Sequence, residues 1–564
     1  MNHTFLRLVL ASTLIAAFAT PVYAQVTVPG SADPTRANDR FRVQERPPVE
    51  QEPVISVPDS EKKPVPPGGT TFVLKGIEFQ DLTVFTQEEL SDIYAGKIGQ
   101  KITLAELNQI VAAVTARYRA AGYILSRAVL PPQRIGDGVV AIRIISGHVD
   151  QVTFQGLPED SRLLNAYANK IRSAKPLDAA TLERYLLLME DLPGVQARAV
   201  IQPSASVSGA SDVIVTITQK QLDAALTVDN RGSRFLGQYQ GTLTLGANNV
   251  LGMHERTQFR GVLTADTDEL RFGELSHEQY IGDEGTKAIF AASFTQTEPG
   301  ASLDVFDIKG QNRFYSVAVV HPFERSRQSN LFGSLAFDYR DADVDILATK
   351  FYEDRLRVLR AGAAYDFVDD LLAINRMEAT LSKGFGWDDN SSNTLRSRSV
   401  GKTSFEKLNL SASRLQPLDR WVDAPINLYM AAAGQVSDAP LLSAEEFGIG
   451  GPAFGSAYDS SEITGDHGAA ARAELQYSDN LDEEYLRSYQ IYTFYDIGKV
   501  WNRRTLPGES EHDSLSSAGI GVRFNLTENV SGELEVAQPL TRNVSANGAD
   551  GDATRGFFSL TVRY

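Results

Sequence analysis

The sequence of 564 residues contains no cysteine, which excludes disulfide bonds and any metal site that depends on thiolate ligands. It has no run of about 18 consecutive apolar residues, so no segment is suited to cross a membrane as a helix. Its seven histidines include no two at a metal-ligand spacing on one predicted element. Neither a Gly-x-Ser-x-Gly elbow nor a Gly-rich phosphate loop occurs. We therefore expect no catalytic residue, no metal, no cofactor and no enzymatic activity.

Basic residues are also too few to balance the acidic ones, and the net charge is −17 at pH 7. A protein that binds nucleic acid needs a basic face to contact the phosphates. The charge therefore argues against DNA or RNA as a partner.

What the sequence has in abundance is strand alternation, and its last residues illustrate the pattern. Successive side chains of a strand point to opposite sides. In the final segment one face is apolar and the other carries Ser559, Thr561 and Arg563. The apolar face consists of Phe558, Leu560, Val562 and Tyr564.

The same alternation recurs through the last three-fifths of the chain, in about sixteen runs separated by polar, Gly-rich breaks. An even number of antiparallel strands closes into a barrel with no exposed edge, as hydrocarbon requires. The pattern predicts a membrane all-β fold, a transmembrane β-barrel of about 16 strands over residues 221–564. The runs begin near residues 222, 237, 255, 268, 287, 311, 329, 355, 371, 402, 422, 469, 486, 514, 528 and 555.

The N-terminal residues 1–24 have the features of a secretory signal peptide. Arg7 supplies the positive charge, residues 8–19 the short apolar core, and residues 22–24 a small-residue cleavage site. Residues 25–69 are rich in proline and polar residues and predict an extended periplasmic tether, with a short, possible plug helix at residues 33–43. An exported chain with many amphipathic strands and no helical span points to a bacterial outer membrane.

Two small α/β modules with the same element order separate the tether from the barrel. Residues 70–149 predict a strand at 72–79, a helix at 86–94, a longer helix capped by Thr103, and strands at 124–130 and 139–145. Residues 150–220 repeat the order, so the two modules form an internal structural repeat. Their predicted elements are a strand at 152–154, helices at 161–171 and 178–190, and strands at 198–202 and 212–218.

The first module resembles a POTRA domain, and more narrowly the first of the two POTRA domains in TpsB-type two-partner secretion transporters. These ShlB/FhaC/HecB-like proteins belong to the superfamily that includes the BamA and TamA assembly proteins. The resemblance implies periplasmic domains that bind an extended partner, partly by adding its strand to a sheet edge. It is carried by Gly122, Tyr123, Pro131, Pro132, Gln133 and Gly147.

A long Gly-rich connection, at about residues 438–468, lies between the predicted eleventh and twelfth strands. In the resembled family this loop folds into the barrel lumen, where an arginine of a Val-Arg-Gly-Tyr type motif reaches an acidic residue of a Phe-x-Asp-x-Gly wall motif. That wall motif is present here as Phe494, Asp496 and Gly498, and strand alternation predicts that Asp496 points inward. The corresponding loop residues are Gly450, Gly451, Phe454, Gly455, Ser456, Ala457, Tyr458 and Asp459.

The loop departs from the family at its charged position. When Tyr458 is aligned with the motif tyrosine, Ala457 occupies the glycine position and Ser456 the arginine position. Our hypothesis is that an inward arginine of the wall, Arg472 or Arg523, pairs with Asp496 instead. The alternatives are a loosely held loop and a divergent member with altered activity.

The resemblance implies an outer-membrane translocator that recognises an unfolded exoprotein with its POTRA domains and secretes it through the barrel. The implied partners are an adhesin or cytolysin, outer-membrane lipid and, during biogenesis, the barrel assembly machinery. We expect the C-terminal apolar residues 558, 560, 562 and 564 to be the assembly signal. A BamA- or TamA-like assembly factor and a passive porin are the alternatives, although a porin needs no peptide-docking modules.

Overall fold

The computed structural model describes residues 28–41, 55–56, 71–156, 161–207, 209–386, 395–481, 485–505 and 510–564. The predicted signal peptide and most of the predicted tether therefore lie outside the described residues. No helix among the described residues is long and apolar enough to cross a membrane.

The N-terminal segment, residues 28–41, contains a 3-10 turn at Pro34–Arg36 followed by α1 (Ala37–Arg40). Asp33 begins this turn by accepting a hydrogen bond from the Thr35 amide at 2.8 Å. Further along the tether, β1 (Ile55–Ser56) is a two-residue strand. Helical residues thus occur at 34–40 of the short helix expected at 33–43, and residues 42 and 43 lie outside the described residues. Its position inside the barrel differs from the extended periplasmic tether that composition predicts.

The first module forms a three-stranded sheet in the order β3-β6-β5, with β2 and β4 paired beside it. Its long helix begins with a capping box, in which the Glu106 amide donates to the Thr103 hydroxyl and the Thr103 amide to the Glu106 carboxylate. The elements are β2 (Thr71–Val73), β3 (Gly76–Gln80), β4 (Lys101–Thr103), α2 (Leu104–Ala120), β5 (Arg127–Val129) and β6 (Val139–Ile145).

The helix predicted at residues 86–94 is wrong. The structure has a turn there, followed by 3-10 turns at Ser91–Ile93 and Ala95–Lys97. Thr86 and Glu89 make the reciprocal contacts of a cap, and the Thr86 amide donates to the Glu89 carboxylate at 2.8 Å. The stretch is too short to offset the cost of nucleating a helix, and the Ser91 hydroxyl bonds back to the Glu88 carbonyl at 2.7 Å.

The second module forms a sheet in the order β1-β8-β9-β7, so the short tether strand is its outermost member. Both helices lie within two residues of their predicted positions, and Ser161 and Asp178 cap them. The elements are β7 (Val149–Gln155), α3 (Arg162–Ser173), α4 (Ala179–Glu190), β8 (Val195–Pro203) and β9 (Ser211–Gln219).

Sixteen antiparallel strands close into a barrel, as predicted, and β10 and β27 join its two ends. Each strand begins within about six residues of the position that alternation indicates. The strands are β10 (Leu222–Asp229), β11 (Gln240–Asn248), β12 (Arg256–Thr264), β13 (Leu270–Ile281), β14 (Thr286–Thr297), β15 (Ile308–Arg325), β16 (Ser329–Ile346), β17 (Thr349–Val368), β18 (Ile374–Gly384), β19 (Glu406–Pro417), β20 (Ile426–Ser437), β23 (His467–Asn480), β24 (Ser488–Trp501), β25 (His512–Asn525), β26 (Val530–Pro539) and β27 (Arg555–Arg563), while β21 (Phe447–Ile449) and β22 (Ile463–Gly465) lie in the connection after β20.

The two faces of the barrel wall differ as alternation predicts. On β27 the side chains of Leu560 and Val562 are exposed on the outer surface, whereas Phe557 is buried inside. On β24, Ile491, Tyr495 and Ile497 are likewise exposed outward, and Asp496 is completely buried in the lumen. The outer face is therefore apolar and suited to lipid, and the inner face carries the polar residues.

Candidate functional site in the barrel lumen

The lumenal hairpin, residues 438–466, folds back into the barrel between β20 and β23. Its strands β21 and β22 pair in antiparallel register, with Ile449 opposite Ile463. Both isoleucines are buried, and they belong to a cluster with Phe494 of β24 and Leu515 of β25. Apolar contact with the wall thus fixes the hairpin on the β23–β25 side of the lumen.

Glycines allow the tip of the hairpin to turn tightly. Gly450, Gly451 and Gly455 all have positive φ, at 124°, 85° and 99°. A Cβ added to Gly450 would lie only 2.1 Å from the carbonyl oxygen of Asp459. Other residues are therefore strained or excluded at the positions that bring the two arms of the tip together.

The residues after the tip bind the end of the barrel that is farther from the modules. The Tyr458 hydroxyl lies 3.1 Å from the carbonyl oxygens of both Ser516 and Arg542. The Arg555 guanidinium donates to the Asp459 carboxylate at 2.8 Å. Phe454 packs at the border of the apolar cluster. These contacts anchor the tip to β25, β27 and the connection before β27.

Asp496 is the centre of the contacts between the hairpin tip and the wall. Its carboxylate accepts a hydrogen bond from the Ser456 amide at 2.9 Å and another from the Ser517 hydroxyl at 3.1 Å. The Arg472 guanidinium lies 3.1 Å from the other carboxylate oxygen and donates to the Ser456 hydroxyl at 2.8 Å. The serine at the arginine position of the family motif therefore contacts both members of an ion pair that belongs to the wall.

Arg523, the other wall arginine in our hypothesis, does not contact Asp496. It donates to the Glu474 carboxylate at 2.5 Å and lies over the Tyr492 ring at 3.6 Å. Glu474 also accepts Arg472 at 2.8 Å. Arg523 thus supports the Asp496 pair from a distance, through Glu474 and Arg472.

The N-terminal segment occupies the lumen beside the hairpin. Phe41 packs on Phe272 of β13 with ring centroids 5.1 Å apart, and its carbonyl accepts Arg260 of β12 at 2.6 Å. The Asn38 amide donates to the Ser293 hydroxyl of β14 at 2.8 Å. The segment is therefore held against the wall by specific polar contacts as well as by an aromatic one.

Two adjacent glutamates at the base of the hairpin connect it to the N-terminal segment and to the wall. Glu445 pairs with Arg360 and with Lys407, each at 2.7 Å. Glu446 pairs with Arg398 at 2.9 Å, and its carbonyl accepts the buried Arg36 guanidinium at 2.7 Å. Sequence reasoning missed these residues, although two consecutive acids immediately before the Gly-rich stretch were a visible signal.

Of the POTRA-motif residues, Gly122 and Gly147 contact the second module, and the others make their contacts within the first. Gly122 has a φ of 91° after α2, and its carbonyl accepts a hydrogen bond from the Ala179 amide at 2.8 Å. A Cβ on Gly147 would lie 2.3 Å from the Leu125 backbone.

The side-chain amide of Gln133 bonds to both backbone groups of Ala141. It donates a hydrogen bond to the Ala141 carbonyl at 2.7 Å and accepts one from the Ala141 amide at 2.8 Å. Tyr123 packs edge-on against Tyr118. Pro131 and Pro132 follow β5 after one residue, Leu130.

The second module sits on the near rim of the barrel, next to the turns that follow β11, β13 and β15. Arg325 donates to both carboxylate oxygens of Asp191 at 2.8 Å. The Ser161 hydroxyl lies 2.6 Å from Nε2 of the buried His254. Burial lowers the pKa of the His254 imidazole, and this effect outweighs the opposing influence of Glu255. The interface therefore favours the neutral imidazole.

Comparison with known proteins gives consistent matches over most of the chain. The profile of the family described as haemolysin secretion/activation protein ShlB/FhaC/HecB matches residues 209–524, and that of the ShlB-type POTRA domain matches residues 72–147. The chain is 21% identical to the heme/hemopexin transporter protein HuxB of Haemophilus influenzae over 81% of both chains. It is 23% identical to the outer membrane transporter CdiB of Dickeya dadantii over 80% of both chains.

Among solved structures, CdiB from Escherichia coli superposes with a TM-score of 0.72 at 19% identity. The match covers 90% of this chain and 93% of that one. At this level of identity the likeness shows a shared fold.

Proposed function

The chain belongs to the ShlB/FhaC/HecB family of haemolysin secretion/activation proteins, the outer-membrane translocators of two-partner secretion, and from this membership we propose how it transports its partner. The barrel lies in the outer membrane and the POTRA domains lie in the periplasm. The two modules bind an unfolded exoprotein in extended form, and the barrel lumen conducts it to the cell surface.

The observation that carries this proposal is that two segments of the chain itself occupy the lumen. Residues 28–41 and the hairpin at 438–466 are held there by hydrogen bonds and ion pairs, through Arg36, Glu446 and Asp496. These contacts are all non-covalent, so each can be exchanged for contacts with water when a segment moves. A passive pore does not need movable segments in its lumen. Their presence therefore favours a translocator that opens for its cargo.

Transport requires that the two lumenal segments move, and it requires no covalent reaction. The bonds in the lumen break and re-form without a covalent step, so this function needs no catalytic residue and no cofactor. Folding of the exoprotein outside the cell supplies a direction, because a folded product cannot return through the lumen. The name of one relative, the hemolysin transporter protein HpmB of Proteus mirabilis, favours a cytolysin as the cargo.

Biogenesis of the barrel involves a second partner in this proposal. The exposed apolar face of β27 and the terminal Tyr564 supply the signal that the barrel assembly machinery recognises. A BamA- or TamA-like assembly role for the chain itself is the alternative, and it predicts a different set of depleted proteins in its absence.

Quantitative mass spectrometry of culture medium and cell surface tests the function. Deletion of this chain should remove one large exported protein, and complementation should restore it. Depletion of many outer-membrane proteins with an unchanged exoproteome would instead support the assembly role. No change in either would contradict both.

A further inference from the structure

The short tether strand covers part of a sheet edge that would otherwise be free. Ile55 pairs with Ala199 and Ser56 with Val200, in parallel register. Without β1, β8 would be an edge strand with β9 as its single neighbour. An edge strand presents unpaired backbone N–H and C=O groups, and these form a template for a further extended segment.

In its described part, this cover is much shorter than the edge on which it lies. β1 has two residues, whereas β8 has nine. Parallel pairing is also slightly less stable per residue than antiparallel pairing. An extended peptide that pairs along more of β8 therefore gains more backbone hydrogen bonds than the loss of β1 removes.

The position of β8 suits the delivery of a peptide to the barrel. The helix α4 packs on β8 and also contacts β15 of the barrel. Within α4, Arg184 donates to the carbonyl of Pro322 at 3.0 Å, next to the near rim. A segment that binds β8 is thus held in the module that sits directly on the barrel.

We propose that β1 is an internal competitor for the β8 edge, which an extended segment of the exoprotein must displace in order to dock. This inference rests on the proposed function. Recognition is through the backbone of the incoming segment, and the exposed side chains of β8 add a preference. The exposed Arg198 favours an acidic or polar residue opposite it, and the exposed Val200 favours an apolar one.

A disulfide that locks β1 onto β8 tests the competition, and the natural absence of cysteine makes the result unambiguous. Ser56 and Val200 are register partners. Paired strands lie about 4.8 Å apart, within the Cα separation that a disulfide spans. The Ser56→Cys/Val200→Cys variant should form the bond in the oxidising periplasm. Secretion of the exoprotein, identified by the deletion comparison, should then fall to the level of the deletion strain.

Addition of a reductant to the cells should restore secretion, because reduction breaks the disulfide and frees β1. The two substitutions are still present in the reduced protein, so recovery would assign the loss of secretion to the bond. The single Ser56→Cys variant serves as a matched control and should secrete normally, and the reduced double variant controls for the change at Val200. Failure of the bond to form, or normal secretion by the locked protein, would overturn the inference. An exoproteome that does not respond to deletion of the whole chain would instead overturn the proposed function.

Hydrogen exchange supplies a second test that does not depend on secretion. Proline has no N–H to donate, so Ile55→Pro should weaken the pairing of β1. The amides of β8 near Ala199 and Val200 should then exchange faster, while those of β7 stay unchanged. Identical exchange in the variant and the parent protein would show that β1 does not cover the edge.

Discussion

At the scale of single residues, Asp496 pairs with an arginine of the wall and not with a charged residue of the hairpin. Both members of the ion pair, Arg472 and Asp496, lie on neighbouring wall strands and are register partners. The hairpin contributes Ser456, which makes hydrogen bonds through its amide and its hydroxyl. Withdrawal of Ser456 therefore removes hydrogen bonds at this point and leaves the Arg472–Asp496 pair intact. The buried charges that separate when the hairpin moves are those of Glu445, Glu446 and Asp459, which pair with cations outside the hairpin. A loop arginine at this position would have to leave its carboxylate behind.

This arrangement predicts unequal effects of two substitutions. Arg472→Ala leaves Asp496 without its direct cationic partner, and loss of one member of a buried pair costs about 3–5 kcal/mol of stability. Ser456→Ala removes one hydrogen bond and should cost about 1–3 kcal/mol. Urea unfolding of the purified barrel in detergent micelles measures both free energies.

Arg523→Ala is the matched control, because it removes an arginine from the same face without touching Asp496 directly. It should destabilise the barrel less than Arg472→Ala does. If both arginine variants unfolded like the parent protein and secreted normally, pairing of Asp496 by the wall would be wrong.

The lowered pKa of the His254 imidazole predicts that docking of the second module onto the barrel rim depends on pH. The docked state favours the neutral imidazole, so its pKa lies below the ordinary value. Docking is at full strength above about pH 6.5, where the undocked imidazole is also neutral. As the pH falls below that value the undocked state takes up a proton first, and docking weakens until the lowered pKa is reached.

Protection factors from hydrogen exchange measure this effect at the start of α3, where the Ser161 hydroxyl both caps the helix and contacts His254. Protection should decrease between about pH 7.5 and 5 in the parent protein. In His254→Gln it should be independent of pH. A parallel decrease in both proteins would assign the pH dependence to other groups.

At the scale of elements, the N-terminal segment, residues 28–41, occupies the lumen beside the hairpin and has contacts of its own. Arg36 connects it to the hairpin, and Asn38 connects it to the wall. Arg36→Ala should release the segment more often, because a buried charge-assisted hydrogen bond is lost. Planar-bilayer recordings should show longer open times for Arg36→Ala and a steady open state after deletion of residues 28–41.

Arg127→Ala, an exposed change in the first module, is the control for these recordings and should leave the conductance unchanged. Closed channels in the deletion variant would mean that the hairpin alone seals the lumen.

Sequence predicts the barrel strands well because alternation is a local property. The apolar face of residues 558–564 and the inward direction of Asp496 follow from the period of two along a single strand. The choice between Arg472 and Arg523 does not, since both arginines face inward. Register decides it, because Arg472 lies opposite Asp496 whereas Arg523 lies opposite Gln490.

Local reasoning failed in two regions, for different reasons. Residues 86–94 have a good cap at Thr86, but the segment is too short to form a stable helix. Residues 28–41 contain few large apolar side chains, and composition alone predicts a solvated tether. The polar lumen nevertheless supplies partners for their hydrogen-bonding groups, including Tyr352, whose hydroxyl donates to Asp33 at 3.2 Å.

At the scale of the whole molecule, one chain forms the channel, the two segments that occupy its lumen, and the β8 edge on which we expect the cargo to dock. The second module is fixed to the near rim through Asp191 and Arg325, so that β8 stays beside the entrance. The N-terminal segment and the lumenal hairpin occupy the path beyond it. This order, from docking edge to covered lumen to far end, describes a route for an extended polypeptide.

The most direct test of this route is a cross-link that keeps the N-terminal segment in the lumen. Asn38 and Ser293 are in hydrogen-bond contact, and cysteines at both positions can be joined by a short thiol cross-linker that a reductant cleaves. If the cargo passes through the lumen, the Asn38→Cys/Ser293→Cys protein should stop secreting when it is cross-linked and recover when it is reduced. Continued secretion by the fully cross-linked protein would contradict transport along this route.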